Sequence, residues 1–183
     1  MIKGELIGLR AVEKEDLIHL RNWRNIPNFR KNFREVRELS LEDQNSWFDS
    51  LQKTKHINYM FSIIDLKTNK LIGAAGLLYI NWINRSADFS FYIGENELYI
   101  GDDGRAKEAT ELLLSYGFDN LNLNKIWMEL YEFDSKKISF FTNGFNFIVD
   151  GTLRENCYES GEYWDSLIIS MLKNDYYTFI GKK

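Results

Sequence analysis

The sequence predicts an α+β fold with a largely antiparallel central sheet flanked by helices. Before Asn58 apolar residues recur with helical spacing, whereas from Asn58 onward they alternate at every second residue, as in strands. A strong helical repeat follows at residues 105–116 and interrupts the strands. Helices that precede and interrupt a run of hairpin-forming strands are typical of α+β proteins. The chain has 183 residues, one proline and no linker-like stretch, so we expect a single domain over residues 1–183.

The N-terminal third predicts one strand and two helices. Residues 6–10 alternate weakly between apolar and other side chains and are assigned to the first strand. The acidic residues 13–16 suit the start of a helix, and residues 40–43 form a capping-box pattern that starts another. The first helix carries Leu17, Leu20 and Trp23 on its apolar face, and the second carries Gln44, Trp47, Phe48 and Leu51.

Three strands are predicted next. Residues 59–64 and 71–80 form a hairpin across a turn at residues 65–70. Gly73 and Gly76 inside the second of these strands indicate a bulge or a close backbone approach. The third strand has an apolar face and a face that could meet a ligand: Ala87, Phe89, Phe91 and Ile93 alternate with Asp88, Ser90 and Tyr92.

The C-terminal half begins with a glycine-containing loop at residues 101–106, which leads into the strong helix. The apolar face of that helix carries Ala109, Leu112, Leu113 and Tyr116. A strand is predicted over 125–132 and a short helix over 135–142, which stops at Asn143-Gly144. Two closing strands follow, over 145–158 and 163–172, joined by a turn at 159–161. The first of these two strands has a break near Gly151.

Composition excludes several classes of protein. Lys and Arg number 23 against 27 Asp and Glu, which gives a net charge of −4 and argues against a non-specific nucleic-acid binder. The single cysteine, Cys157, excludes an intramolecular disulfide framework, and two distant histidines make a metal site unexpected. No apolar leader segment and no long apolar stretch is present, so we expect neither secretion nor membrane insertion but a reduced, cytoplasmic compartment.

The loop at residues 101–106 is the strongest candidate ligand site. Gly101 and Gly104 allow a tight turn whose N–H groups point outward, and the following helix adds the positive end of its dipole. The loop lacks the Gly-Lys-Ser/Thr of a P-loop and the G-x-G-x-x-G of a dinucleotide fold. It therefore predicts an anion cradle of another kind.

Several short segments, in their order and spacing, carry a family resemblance: residues 9–17, 23–25, 92–94, 123–126, 143–145 and 151–154, followed by Gly161 and Asp165. Together they resemble the GNAT-type N-acetyltransferase superfamily, within it the group of ribosomal-protein alanine and nucleotide-linked amino-sugar N-acetyltransferases. The resemblance covers nearly the whole chain. It implies a GNAT-like fold and direct transfer of acetyl from acetyl-coenzyme A (acetyl-CoA) to a primary amine, without a metal.

The resemblance also implies which residues hold acetyl-CoA. Gly104 and Ala106 match the pyrophosphate loop of the family, whereas Gly101 replaces its Arg or Gln. The pyrophosphate would lie on N–H groups from Asp102 to Lys107, and one central strand would pair with the pantetheine arm and polarise the thioester carbonyl. The residues expected at acetyl-CoA are Phe91, Tyr92, Ile93, Asp102, Asp103, Gly104, Arg105, Ala106, Lys107, Asp134 and Phe141.

The sequence identifies the catalytic acid and base less clearly than the acetyl-CoA site. Many relatives use a tyrosine to protonate the leaving thiolate, but here the corresponding segment reads Ser139-Phe140-Phe141-Thr142. A thiol with a pKa near 8.5 leaves as thiolate at pH 7 at a cost of only about 2 kcal/mol, so the reaction does not require that donor. The attacking amine must lose a proton, and carboxylates on the central strands could relay it through water. Among Asp88, Glu129 and Glu132, we predict Asp88 and Glu132 as the catalytic pair.

Six cationic side chains between residues 21 and 37 predict an acceptor that carries negative charge, such as a nucleotide-linked amino sugar. Arg30 is the first candidate contact and Arg24 the second; the full predicted set is Trp23, Arg24, Asn25, Arg30 and Trp47. Acetylation of a protein N-terminus or of a polyamine remains an alternative, as does a degenerate domain that binds acyl-CoA without turnover. The sequence leaves the oligomeric state open, a homodimer included.

Overall fold

The computed structural model describes residues 1–181 and consists of one eight-stranded sheet with helices on both faces. The strands are β1 (Ile2–Lys3), β2 (Ile7–Ala11), β3 (Tyr59–Asp65), β4 (Lys70–Asn81), β5 (Ser86–Ile93), β6 (Lys125–Tyr131), β7 (Ile148–Glu159) and β8 (Glu162–Leu172). The helices are α1 (Leu17–Arg24), α2 (Pro27–Arg30), α3 (Leu41–Lys53), α4 (Arg105–Ser115), α5 (Ser135–Phe145) and α6 (Lys173–Phe179). The spatial order is β1-β2-β3-β4-β5-β6-β8-β7, and only β5 and β6 pair in parallel, which confirms the predicted α+β class.

Strand β5 shows how the core is divided between the two faces of the sheet. Successive side chains of a strand point to opposite faces. Tyr92 packs edge-on against Phe29 of α2 on one face, with the ring centres 6.3 Å apart. Phe89 packs against Phe141 of α5 on the other face, with the centres 5.3 Å apart. The predicted polar face of β5 therefore turns toward α1, α2 and α3.

Local signals in the sequence are confirmed. Ser40 caps α3, since its hydroxyl accepts from Asp43 N–H at 3.0 Å and the Asp43 carboxylate accepts from Ser40 N–H at 2.8 Å. Gly73 marks a close approach, because a Cβ there would overlap the carbonyl oxygen of Tyr92 on β5. The predicted break near Gly151 is a register shift between β7 and β8.

The structure corrects one helix end and adds short elements. Helix α5 continues through Asn143-Gly144, and the left-handed residue that ends it is Asn146, with φ of 58°. The reason is tertiary packing: Phe145 is buried between rings of the same helix and Phe179. Strand β1 and helices α2 and α6 were not predicted, because two to seven residues are too few to establish a periodicity. Among residues 1–181, no helix combines the length and apolar character that crossing a membrane requires.

Candidate active site

A cleft opens at the centre of the sheet where β5 and β6 diverge. The two strands pair only at Ser86–Asp88 with Lys125–Trp127, and β6 then continues along β8. Backbone groups alternate in direction along a strand, so those of Phe89 and Phe91 face the gap. An open strand edge of this kind can pair with an extended ligand. The cleft is therefore the place where the sheet itself offers hydrogen bonds to a bound molecule.

Two contacts close part of this open edge. Ile93 exchanges both backbone hydrogen bonds with Tyr99, at 2.9 and 2.8 Å. The carbonyl oxygen of Phe91 accepts a hydrogen bond from Nζ of Lys137 at 2.9 Å. Of the strand residues predicted to meet the pantetheine arm, Ile93 thus has its backbone groups paired within the protein, while the N–H of Phe91 faces the gap.

Lys137 is a buried cation that the sequence analysis did not single out. Its Nζ also lies 5.1 Å from the centre of the Tyr99 ring, and burial lowers the pKa of Lys137 to about 8. The sequence does hold one signal for this position: Lys137 falls at four-residue spacing with Phe141 and Phe145, both of which are buried. A lysine in register with two buried phenylalanines lies on the apolar face of its helix.

The lowered pKa predicts a pH-dependent stability. Between about pH 8 and about pH 10 the unfolded chain holds a proton on this lysine that the folded chain has released. The free energy of unfolding of the wild type should therefore rise with pH across that window, relative to Lys137→Met. Urea unfolding at several pH values measures the difference. Lys136→Met, at the exposed neighbouring position, should follow the wild type; a constant offset between Lys137→Met and wild type would contradict the assignment.

A carboxylate pair lies beside the cleft, on the α1–α3 face of the sheet. Nη1 of Arg34 is 2.6 Å from the Asp88 carboxylate on β5, and Nε of Arg34 is 3.2 Å from Glu129 on β6. Burial raises the pKa of Asp88, and the charge and hydrogen bond of Arg34 offset part of that rise. Glu129 also accepts hydrogen bonds from Asn156 and Ser166. The structure thus joins Asp88 to Glu129 through one arginine.

Glu132, the other predicted catalytic residue, lies elsewhere. Its side chain is exposed beyond the end of β6, and its N–H donates to the backbone carbonyl of Asp165 at 3.0 Å. The carboxylate of β6 that lies beside Asp88 is Glu129 and not Glu132. Successive side chains of β6 point to opposite faces, and Glu129 shares the face of Asp88. Both carboxylates are candidates from the sequence, and only the strand register separates them.

A cavity of about 430 Å³ adjoins this face of the sheet. Its floor is formed by side chains of β3, β4 and β5, including Ser90 and Tyr92, and its walls come from α1, α3 and the segment between α2 and α3. The charged side chains that line it are Arg24, Glu35, Arg37 and Asp43. Because Asp88 stands on the same face of β5 as Ser90 and Tyr92, this cavity is the candidate acceptor pocket.

Of the five residues predicted to bind the acceptor, Arg24 and Trp47 line the cavity. Asn25 instead bonds both backbone groups of Leu39, each at 2.8 Å, and so holds a wall segment in place. Trp23 packs edge-on against Tyr92. Arg30 of α2, the first sequence candidate, does not line the cavity, and its guanidinium lies 3.6 Å from the Glu38 carboxylate.

The glycine turn that the sequence analysis interprets as an anion cradle lies at the start of α4. Gly104 adopts a φ of +87° and precedes the helix, whose first-turn N–H groups have no carbonyl of their own turn to bind. Asp103 accepts from Arg105 N–H at 3.2 Å, so one carboxylate already caps the helix. The Arg105 guanidinium neutralises that carboxylate at 2.7 Å. Arg105 also pairs with Glu95 at 2.6 Å and with Asp65 at 3.3 Å, so its charge is already shared among three carboxylates. The features that fit a pyrophosphate are therefore the glycine turn and the helix dipole.

The other residues predicted to bind acetyl-CoA are either exposed or buried within the core. Lys107 is exposed and lies 3.8 Å from Glu111, so it does not offset the aspartates, and Asp102 is exposed. Asp134 is buried, where it caps α5 and accepts a hydrogen bond from the Tyr99 hydroxyl at 2.6 Å. Phe141 is fully buried in an aromatic cluster with no surface toward the cleft. The structure does not bring Phe141 and Asp134 to a ligand-facing position.

Comparison with known proteins points to one family. The acetyltransferase (GNAT) domain model matches residues 7–142. An uncharacterised N-acetyltransferase, p20, of Bacillus licheniformis is 30% identical over 175 residues, covering 94% of this chain and 96% of that protein. The spermidine N(1)-acetyltransferase of Vibrio cholerae is 30% identical over 176 residues, covering 93% and 95%.

Solved structures agree with the fold. The crystal structure of spermidine N-acetyltransferase from Vibrio cholerae in complex with CoA and spermine superposes with a TM-score of 0.84 at 26% identity, covering 94% of this chain and 99% of that one. These relatives do not support the amino-sugar or ribosomal-protein branch to which the sequence motifs were compared. They agree with the coarser resemblance to N-acetyltransferases.

Proposed function

The chain belongs to the GNAT acetyltransferase family, and from this premise we propose that it acetylates the primary amine of a small molecule bound in the cavity against Ser90 and Tyr92. It is an N-acetyltransferase, and its acetyl donor is acetyl-CoA. The observation that carries the proposal is that an open cavity and a carboxylate pair lie next to each other on one face of the sheet, beside a cleft that begins at the same strand. Acetyl-CoA, when bound, supplies the activated acetyl group.

The residues of this chain have separable roles in the proposal. The first-turn N–H groups of α4 hold the pyrophosphate, while Arg105 neutralises carboxylates around them. The N–H of Phe91, which faces the gap, is a donor for a ligand oxygen. Asp88 accepts the amine proton through water, since it stands on the face that the cavity shares, and Glu129 and Arg34 orient it. The segment that carries the acidic tyrosine in many relatives supplies no phenol here, because Phe141 has no hydroxyl and is buried.

A second candidate, acetylation of a polyamine, is favoured by the relatives. Two of them are named as spermidine N(1)-acetyltransferases, from Vibrio cholerae and Escherichia coli. The cavity also carries two carboxylates, Glu35 and Asp43, that could meet ammonium groups. Spermidine is therefore included as an acceptor in every test of the function.

The proposed function is tested in two steps. Calorimetry with acetyl-CoA should show binding, and a thiol-release assay with a panel of small primary amines should show turnover. The panel contains spermidine, amino sugars, amino acids and a peptide with a free N-terminus. Turnover with any small amine supports the proposal. Preference for the peptide would replace it by protein N-terminal acetylation, and binding without turnover on all acceptors would leave only an acyl-CoA-binding domain.

A further inference from the structure

Arg24 is a charged group with an unusual environment. It is the last residue of α1 and lines the cavity, and its Nε is buried without a hydrogen-bond partner. Within residues 1–181 no ion pair or side-chain hydrogen bond involves its guanidinium. The residue as a whole is partly buried. A guanidinium stays charged, and withdrawing part of it from water without a counterion is unfavourable. The Arg24 guanidinium therefore has no anionic partner among residues 1–181.

Most of the neighbouring basic side chains have a hydrogen-bond or ion-pair partner. Four of the other five basic side chains between residues 21 and 37 have a partner: Arg21 bonds Asn22, Arg30 lies near Glu38, Arg34 pairs with Asp88 and Glu129, and Arg37 pairs with Glu35. Carboxylates therefore neutralise three of the six cations, Arg30, Arg34 and Arg37. Among residues 1–181, Arg24 is the member that lines the cavity without a carboxylate partner.

The carboxylates of the cavity are already engaged. Glu35 accepts three hydrogen bonds from Arg37, two from its guanidinium and one from its N–H. Asp43 accepts from the hydroxyl and N–H of Ser40 and caps α3. Neither pairs with Arg24, which makes Arg24 the cavity charge that still requires a counterion.

The guanidinium is also held in one orientation. Its central carbon lies 4.2 Å from the centre of the Phe33 ring, and Tyr92 lies on the cavity floor nearby. An aromatic ring on one face of a guanidinium leaves the N–H groups at its edge to bind a ligand. Carboxylate and phosphate oxygens match that planar set of donors.

We propose that Arg24 forms an anion subsite of the acceptor cavity, which binds a carboxylate or phosphate group carried by the same molecule whose amine is acetylated. This rests on the proposed function, since it names the class of its acceptor. A zwitterionic or phosphorylated amine places its anion on Arg24 and its amine toward Asp88. Spermidine has no anion for this position.

The first experiment compares matched acceptors. Glucosamine 6-phosphate is paired with glucosamine, and β-alanine with propylamine, so each pair differs in its anionic group. We expect kcat/KM to be at least tenfold higher for the anionic member of one of the two pairs. The pair that shows this preference tells whether the subsite binds phosphate or carboxylate. Arg24→Met should remove the preference, mainly through KM, while Arg21→Met, one turn earlier on α1 and outside the cavity lining, retains it. Faster turnover by the wild type of spermidine, or of the pair members that lack an anionic group, would overturn the proposal.

The second experiment does not depend on turnover. With saturating CoA filling the cradle at α4, calorimetry should detect inorganic phosphate binding to wild type and to Arg21→Met but not to Arg24→Met. Thermal unfolding of each variant checks that it is folded. If phosphate binds through Arg24 but no amine is acetylated, the proposed function fails and the subsite stands. If amines are acetylated yet phosphate binding is absent or unchanged by Arg24→Met, the subsite fails and the function stands.

Discussion

Asp88→Asn is expected to lower kcat/KM by about 10²- to 10⁴-fold, the usual contribution of a positioned proton acceptor. The amide keeps the shape of the carboxylate but cannot take the amine proton. Arg34 keeps Glu129 as a partner, so the loop that carries it stays attached to the sheet. Affinity for acetyl-CoA should be unchanged, because the cradle at α4 is formed by other residues.

The pH profile distinguishes a proton acceptor from a structural residue. Burial raises the pKa of Asp88, so the acidic limb of kcat/KM in the wild type should lie above the ordinary aspartate range. Asp88→Asn should abolish that limb. Asp49→Asn, which alters an exposed carboxylate of α3, serves as the control and should leave rate and profile unchanged. A loss of activity in Glu132→Gln with full activity in Asp88→Asn would instead assign the base to Glu132.

Gly104→Leu is expected to weaken acetyl-CoA binding at least tenfold, which is about 1.4 kcal/mol. At a φ of +87° a side chain is strained, and a new Cβ would lie 3.2 Å from a methyl group of Leu6. The substitution thus distorts the turn whose N–H groups form the cradle. Calorimetry with CoA measures the loss directly, without an acceptor.

Gly161→Leu provides a matched control for backbone strain. Gly161 has a φ of +91° in the β7–β8 turn, and nothing lies within 4 Å of its added Cβ. Both variants should lose a similar amount of stability from the left-handed backbone, but only Gly104→Leu should lose CoA affinity. Equal CoA affinity in the two variants would place the pyrophosphate elsewhere.

The sequence by itself determined those features that depend on neighbours a few residues away. The change of period at Asn58 marked the passage from helices to strands, Ser40 and Asp43 marked the start of α3, and the glycine turn before α4 marked the anion cradle. Each is set by local backbone geometry and by contacts within one or two turns, so it can be read from a short window. The absence of the usual tyrosine was equally visible.

Only the tertiary structure decided which side chains act together. Arg34 meets Asp88 and Glu129 across 54 and 95 residues of sequence, and strand register alone separates Glu129 from Glu132. Arg30 and Arg37 find carboxylates nearby in the chain, whereas Arg24 has no ion-pair partner among residues 1–181, and this difference could be seen only in the folded structure. The free energy of a charge depends on its burial and on its partner, and both are fixed by how the sheet brings distant segments together.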